Sequence, residues 1–197
     1  MIKYLKLLRV EQWVKNFFVF IPLFFSGNIT HPNFFVKSVF AFIVFSLIAS
    51  SIYILNDYKD IEADQKHPEK KDRPLANGSI SKTTALFLFT TLISAVAMLV
   101  FFGQEYFHKN LWKFAVIIGS YFIMNLAYTF RLKHVAIVDI FIIAIGFVLR
   151  VLAGGYATGI KISQWAILLT FVLALVLAVG KRRGELINAA ISGRTRK

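Results

Sequence analysis

The sequence predicts an all-α fold, a polytopic membrane bundle of six transmembrane helices formed by residues 1–197 as a single domain. Two observations support this prediction. The 197 residues are 57% hydrophobic and only 17% charged, whereas soluble domains carry about a quarter charged residues. The hydrophobic residues also come in six blocks of about 20, the length that crosses a bilayer as a helix. No internal repeat or low-complexity linker divides the chain.

The six blocks lie near residues 10–28, 34–56, 82–103, 111–129, 134–155 and 162–180. The first is the least regular, because its uninterrupted apolar run contains Pro22 and is too short to cross a bilayer alone. A crossing helix there must include Lys15 and Asn16, which we expect to face a polar cavity. The run lacks an A-x-A cleavage site, so the segment is interpreted as a retained first helix rather than a signal peptide.

The basic residues are distributed unequally between the two ends of the predicted bundle. With six spans, both termini and the loop 57–82 lie on one side, which receives most of the 23 lysines and arginines. The opposite side receives Lys37, Lys109, Lys113 and Lys161. The positive-inside rule therefore predicts cytoplasmic termini and a cytoplasmic loop, in a plasma or inner membrane.

The net charge of +13 and the lack of cysteine limit the possible functions. Without cysteine there are no disulfides and no thiolate metal sites. In a membrane protein, excess positive charge indicates cytoplasmic loops and contact with anionic lipid. No zinc-finger or RNP-like pattern is present, so nucleic acid is not an expected partner.

Six of the ten acidic residues fall in residues 51–80, where the second block ends. If that helix continues, Asp57, Asp60 and Asp64 lie within an arc of about 60° on one face. Three carboxylates on one face repel one another unless a cation lies between them. Lysines could supply that charge, but Mg²⁺ is the better interpretation, because it takes one or two carboxylates together with water and phosphate oxygens. Spacing excludes an EF-hand, and zinc would need clustered histidine or cysteine.

The face that carries these aspartates continues into the membrane as a polar stripe of Tyr53, Ser50 and Ser46. On the other side of the aspartates, Lys70 and Arg73 suit the anionic substrate that Mg²⁺ would bring. Arg73 precedes a proline, which favours extended backbone and can hold the guanidinium toward the site. His67 is equally consistent with an ordinary loop residue.

Further polar residues lie in the fifth block and directly after the sixth. Asp139 and Arg150 lie on nearly the same helical face but about 16 Å apart along the axis, so each needs its own partner. Asp139 is near the cytoplasmic end, whereas Arg150 is deeper and could bond carbonyl groups within the bundle. Lys181 and Arg182 follow the sixth block at the cytoplasmic mouth.

A resemblance to the UbiA superfamily of intramembrane prenyltransferases lies in two adjacent stretches, NDYKDIEAD at 56–64 and HPEKKDRPLANG at 67–78. They resemble the first aspartate-rich motif of that superfamily. QWVKN at 12–16, the Asp139 to Gly154 stretch and GKRRGEL at 180–186 are similar to the decaprenyl-phosphate phosphoribosyltransferase branch.

The resemblance implies a reaction in which 5-phosphoribosyl passes from phosphoribosyl diphosphate (PRPP) to a decaprenyl-type polyprenyl phosphate. The reaction uses Mg²⁺, releases diphosphate and supplies lipid-linked precursors of cell-wall arabinan. By resemblance, Asp57, Asp60 and Asp64 would hold Mg²⁺ and the diphosphate. Substrate contacts would come from Lys15, Asn16, Asn56, Lys70, Arg73, Asp139, Arg150, Lys181 and Arg182.

The sequence departs from the superfamily pattern in two ways. The superfamily usually has nine helices and a second aspartate-rich motif after the sixth, whereas this chain has six blocks and a basic stretch at that place. The basic stretch agrees with the phosphoribosyl branch, whose substrates carry many phosphate charges. We expect the last helices to be missing, as in a fragment or a shortened homologue, and a homo-oligomer would supply the missing cavity wall.

Two alternative functions remain open. One is polyprenyl transfer from a polyprenyl diphosphate to an aromatic or other small acceptor. The other is a membrane transporter or lipid-binding protein in which Asp139 and Arg150 line a pathway, although this leaves the aspartates at 57, 60 and 64 unexplained.

Overall fold

The computed structural model describes residues 2–107, 111–132 and 136–191, in which all regular secondary structure is helical and there is no strand. This confirms the predicted all-α class. The elements in chain order are α1 (Ile2–Leu8), a 3₁₀ helix (Val10–Phe20), α2 (Ile21–Phe25), α3 (Pro32–Lys59), α4 (Ile61–Gln65), α5 (Lys82–Phe107), α6 (Leu111–Ala127), a π-helical turn (Tyr128–Leu132), α7 (Ala136–Thr158) and α8 (Gln164–Ile191).

Five of the described helices are long and apolar enough to cross a membrane, and they correspond to the second to sixth blocks: Pro32–Lys59, Lys82–Gly103, Leu111–Arg131, Ile137–Thr158 and Gln164–Gly184. The first of these, α3, is the central helix, which packs against α5, α6 and α7. Its proline at the first helical turn is favourable because that position needs no backbone N–H donor. The polytopic bundle is therefore built around α3.

Residues 2–25, which we call the first segment, differ from the single crossing helix that the sequence predicts near 10–28. They form three short helices, with a 3₁₀ helix of 11 residues in the middle. Arg9 separates the first two, because its backbone is left-handed (φ 49°, ψ 51°). Runs of 3₁₀ helix beyond three or four residues are uncommon, so this one depends on packing against α3 and α7.

A glycine in α7 permits the closest of these contacts. A Cβ atom added at Gly154 would overlap the carbonyl oxygen of Val19, in the 3₁₀ helix. Val19 and Ala153 are completely buried in the main hydrophobic core, which also includes Phe45 of α3 and Phe114 of α6. The first segment is thus an integral part of the core.

A second, smaller hydrophobic cluster fixes the loop between α4 and α5. Leu75 and Ile80 of the loop pack with Leu7 of α1 and Ile54 of α3. At the surface, Lys3 donates a hydrogen bond to the carbonyl oxygen of Ser79 at 3.0 Å. The loop that carries the basic residues therefore lies against the end of α3.

Candidate functional site

The predicted site residues lie mainly at one end of the bundle, which we call the acidic end. Asp57, near the end of α3, and Asp64, in α4, are 2% and 3% exposed. Arg73 lies between them: its Nη1 donates to Asp64 Oδ2 at 2.7 Å and is 3.1 Å from Asp57 Oδ1. Two buried carboxylates thus share one guanidinium group, whereas the sequence predicted Arg73 as a contact for an anionic substrate.

A second arginine completes the charge balance of Asp57. Arg9 Nη2 lies 2.5 Å from Asp57 Oδ1, and its guanidinium carbon is 4.9 Å from the ring centre of Tyr53. Among the described residues other than glycine, Arg9 alone has a positive φ. Such a backbone costs free energy and persists only where surrounding contacts determine it. Here the conformation directs the side chain of Arg9 onto a buried carboxylate.

The three predicted aspartates do not form one three-residue cluster. Among the described residues, no group of three acidic or histidine side chains is placed to hold a metal ion. The prediction assumed one continuous helix from Asp57 to Asp64, but α3 ends at Lys59 and α4 begins at Ile61. Asp60 lies at this junction, half-buried, so the described arrangement is a pair, Asp57 and Asp64.

Asn56 connects this pair to the π-helical turn that follows α6. Its Oδ1 accepts a hydrogen bond from the hydroxyl of Thr129, in the π-helical turn. Lys59 donates to the backbone carbonyl of Thr129, and its ammonium is 4.5 Å from the ring centre of Phe130. These contacts hold the ends of α3 and α6 together beside the carboxylates.

Asp139 and Arg182 pair with each other at the same end. Arg182 Nη2 contacts Asp139 Oδ2, and the hydroxyl of Tyr128 donates to Asp139 Oδ1 at 2.6 Å. This explains how a carboxylate at the start of α7 is tolerated, because its charge is paired and hydrogen-bonded. The ion pair also links α7 to α8.

Arg150 lies deeper, 6% exposed, and has neutral partners. Its Nε donates to Asn16 Oδ1 at 2.8 Å, and its Nη2 is 3.3 Å from the hydroxyl of Tyr121. Its guanidinium carbon is 5.0 Å from the ring centre of Phe45. Among the side chains that the structure describes, no carboxylate forms an ion pair with Arg150. As expected, it does not pair with Asp139.

The polar stripe of α3 faces the first segment. Ser46 accepts a hydrogen bond from Asn16 Nδ2 at 2.9 Å, and Ser50 accepts one from Trp13 Nε1 at 3.0 Å. The hydroxyl of Ser50 also donates to the backbone carbonyl of Leu8 at 2.8 Å. The stripe therefore positions the first segment and, through it, Arg9.

Three further predicted cations belong to elements that meet at the acidic end. Lys15, in the 3₁₀ helix, and Lys181, in α8, are exposed. Lys70, in the loop with Arg73, is half-buried. Burial of Asn16 and exposure of Lys15 agree with a 3₁₀ helix that has one face in the core and one face open.

Sequence reasoning missed Arg9, Tyr128 and Thr129. Arg9 was counted with the basic residues that flank the first block, and nothing in its sequence context indicated a left-handed backbone. The two residues before Phe130 were treated as the end of a span. Their polar side chains at a predicted membrane edge, close to the aspartates of the neighbouring span, were the available signal.

The carboxylates of Asp57 and Asp64 are a donor set that fits Mg²⁺. Mg²⁺ is typically bound by one or two carboxylates, with waters and substrate phosphates completing its coordination. Asp57 and Asp64 offer oxygen ligands only, and they already converge on a cation, Arg73. Two carboxylates this close together repel each other, and a cation between them offsets that repulsion.

The sequence profile of the UbiA prenyltransferase family matches residues 17–180. A decaprenyl-phosphate phosphoribosyltransferase of Mycolicibacterium smegmatis is 40% identical over 193 residues, which cover 96% of this chain and 58% of that protein. One of Mycobacterium tuberculosis is 37% identical, covering 95% and 61%. The chain therefore spans about three fifths of the length of these relatives.

A solved structure of a UbiA homolog from Archaeoglobus fulgidus, bound to GPP and Mg²⁺, has the same fold. The TM-score is 0.73 at 19% identity, and the alignment covers 97% of this chain and 66% of that chain. The profile match extends from the first segment into α8 and includes the acidic pair with Arg73. With this profile match, this helical fold and this site, the chain belongs to the UbiA prenyltransferase family.

Proposed function

We propose that the protein transfers the 5-phosphoribosyl group of PRPP to a polyprenyl phosphate of the decaprenyl type, with Mg²⁺, and releases diphosphate. The observation that carries the proposal is the buried pair Asp57 and Asp64, held between Arg9 and Arg73 at a single end of the bundle. The names of the relatives from Mycolicibacterium smegmatis and Mycobacterium tuberculosis support the choice of phosphoribosyl donor.

In this proposal, Asp57 and Asp64 hold Mg²⁺, with Asp60 as a further ligand at the helix junction. When bound, the ion supplies positive charge that stabilises the departing diphosphate. The solved neighbour contains Mg²⁺ together with GPP, which supports the use of this ion. The chain itself supplies the carboxylate oxygens at the bundle end, where both side chains are buried.

The cations of the acidic end bind the phosphate groups of the substrates. Arg73 and Lys70 approach from the loop, Lys15 from the 3₁₀ helix and Lys181 and Arg182 from α8. Because these side chains come from separate elements, they surround the donor phosphates rather than lining one face. Fixed positive groups that stabilise developing negative charge are a large term in such reactions.

The remaining predicted substrate residues act nearby. Asn56, beside Asp57, offers an amide to the donor, and Asp139 orients Arg182 through their ion pair. Asn16 and Arg150 extend the polar path from the acidic end into the bundle. The acceptor phosphate is already an anion, so it attacks C1 of the ribose without a general base.

The proposal also includes location and assembly. The bundle would lie in the plasma or inner membrane, with its termini and acidic end in the cytoplasm, where PRPP is soluble. The polyprenyl tail would remain in the bilayer along the phenylalanine-rich helices. The lipid-linked phosphoribose product would serve synthesis of cell-wall arabinan, and the protein would assemble as a homo-oligomer.

The test is a transfer assay in membranes that contain the whole chain, with PRPP labelled in the ribose and added polyprenyl phosphate. Label should pass into the organic phase only when Mg²⁺ is present. Asp57→Asn should lower this transfer by about 100-fold or more, because the amide loses the charge that holds the ion. Asp72→Asn is the matched control, since Asp72 is an exposed acid in the loop that carries Arg73.

Equal transfer by the Asp57 variant and the wild-type chain would contradict the metal site. Transfer from a polyprenyl diphosphate to an aromatic acceptor, with no transfer from PRPP, would show that PRPP is not the donor. That result would favour the prenyltransferase alternative. Uptake of lipid without either reaction would favour a transporter or lipid-binding protein.

A further inference from the structure

A second polar site lies at the end of the bundle opposite the carboxylates. It is a cavity of about 350 Å³ between the start of α6, the end of α7 and the connection to α8. Its walls include Lys113, Tyr156 and Lys161, with Leu152, Ile162 and Ile167 as apolar lining. None of these residues takes part in the proposed phosphoribosyl transfer.

The position of the cavity places it at a membrane interface. Tyr156 follows Asp139 by 17 residues in the same helix, so the cavity lies about 26 Å from the acidic end along the axis. That distance is close to the thickness of the hydrocarbon core, which is about 30 Å. Trp112 and Trp165 flank the cavity in sequence and are 60% and 72% exposed, as expected for aromatic residues at the headgroup level.

Two lysines give the cavity a positive charge that suits an anionic ligand. Lys113 and Lys161 come from different elements, are both exposed, and form no ion pair among the described side chains. The ammonium of Lys113 lies 5.7 Å from the ring centre of Trp112 and 5.9 Å from that of Tyr156. These cation–π contacts hold its charge at the cavity rather than leaving it free in solvent.

The lower wall of the cavity is built to receive hydrocarbon. Gly155 has no side chain, and a Cβ atom there would overlap the side chain of Ile162. Ile162 lies against α7 and, with Leu152 and Ile167, gives the cavity an apolar wall. Leu152 precedes Tyr156 in α7 and Ile167 follows Lys161 into α8, so this wall extends from the lysines toward the middle of the bundle. A ligand with an anionic head and an apolar tail matches this arrangement.

We propose that this cavity binds the phosphate headgroup of an anionic membrane lipid, with Lys113 and Lys161 at the phosphate and the acyl chain on the apolar wall. A soluble phosphate could use the same two ammonium groups, but it would leave the apolar wall at bilayer depth unused. The site is independent of the proposed transfer reaction, because it is formed by other residues at the other end of the bundle.

The test uses the purified full chain in detergent and two brominated lipids, phosphatidylglycerol and phosphatidylcholine, which quench tryptophan fluorescence on contact. Trp112 and Trp165 adjoin the site and report binding there. A lysine near an anionic headgroup contributes about fivefold in affinity, so two lysines predict a preference of roughly twentyfold for phosphatidylglycerol. Lys113→Gln with Lys161→Gln should abolish that preference and leave quenching by phosphatidylcholine unchanged.

The matched control is the double variant Lys71→Gln with Lys82→Gln, which removes two exposed lysines at the acidic end. It should retain the preference, since only the net charge changes. Equal quenching of the wild-type chain by both lipids, or equal loss of preference in both double variants, would overturn the proposal. Reversal of the quenching by millimolar inorganic phosphate would also overturn it, in favour of a soluble ligand.

Discussion

Arg73 separates two carboxylates that would otherwise face each other in a buried place. Asp57 and Asp64 both contact its Nη1, and its side chain is 26% exposed. Removing one partner from a buried ion pair usually costs more than the pair itself contributes, because the remaining charge stays buried and uncompensated. Without Arg73, Asp57 would keep its ion pair with Arg9, whereas buried Asp64 would lose the ion pair described for it. Arg73 is therefore a structural residue as well as a proposed phosphate ligand.

Arg73→Ala is expected to destabilise the protein by roughly 2–3 kcal/mol, somewhat less than a fully buried pair because the arginine is partly exposed. Mg²⁺ should recover part of this loss, since it can replace the missing cation between the carboxylates. The measurement is thermal unfolding in detergent, with and without Mg²⁺. Lys71→Ala, an exposed change in the same loop, should alter stability by less than about 0.5 kcal/mol.

A smaller stabilisation by Mg²⁺ in the Arg73→Ala variant than in the wild-type chain would contradict this account. It would mean that the carboxylates do not converge on a common cation.

At the scale of elements, the first segment depends on its neighbours for its conformation. Its 3₁₀ helix is held by hydrogen bonds to Ser46 and Ser50 of α3, by Arg150 of α7 and by close packing on Gly154. Local sequence preferences do not favour 11 residues of 3₁₀ helix. The first segment carries both Arg9 and Lys15, so the α7 surface indirectly places two cations of the site.

Gly154→Ala is expected to destabilise the protein by at least about 3 kcal/mol, because the new methyl group would meet a backbone oxygen that cannot move aside. Thermal unfolding in detergent measures the effect. Gly119→Ala in α6 is the control: a Cβ there has no neighbour within 4 Å, so the change should be neutral or stabilising by up to about 1 kcal/mol. Equal stability of the two variants would show that the first segment does not pack on α7 as described.

The long helices were predictable because their formation needs only apolar residues over the length of a membrane span. All five described spans fall in predicted blocks. The conformation of the first segment and the arrangement of the three aspartates were not predictable, because each depends on tertiary contacts. The sequence around Lys59 contains no proline or glycine to indicate that α3 ends there, and the arc calculated for Asp57, Asp60 and Asp64 assumed a continuous helix.

At the scale of the whole molecule, the two ends of the bundle have different chemistry. One end combines buried carboxylates with many cations, and the other has two lysines beside exposed tryptophans. Such asymmetry in basic residues predicts the orientation of a membrane protein, with the richer end in the cytoplasm.

Because the chain has no cysteine, single cysteines can report this orientation. Lys161→Cys is expected to react with a membrane-impermeant maleimide in intact cells, whereas Lys71→Cys should react only after permeabilisation. Both positions are exposed, so access to the reagent decides the result. The opposite pattern would place the acidic end outside the cell and remove it from soluble PRPP.

The two arginines beside Asp57 have a consequence for the folding and turnover of the protein in a cell. Since guanidinium groups already neutralise the buried acids, insertion and assembly do not have to wait for a divalent ion. Under the Mg²⁺ dependence proposed above, cells starved of magnesium would retain a folded but inactive pool of this protein, which would regain activity without new synthesis once magnesium returned.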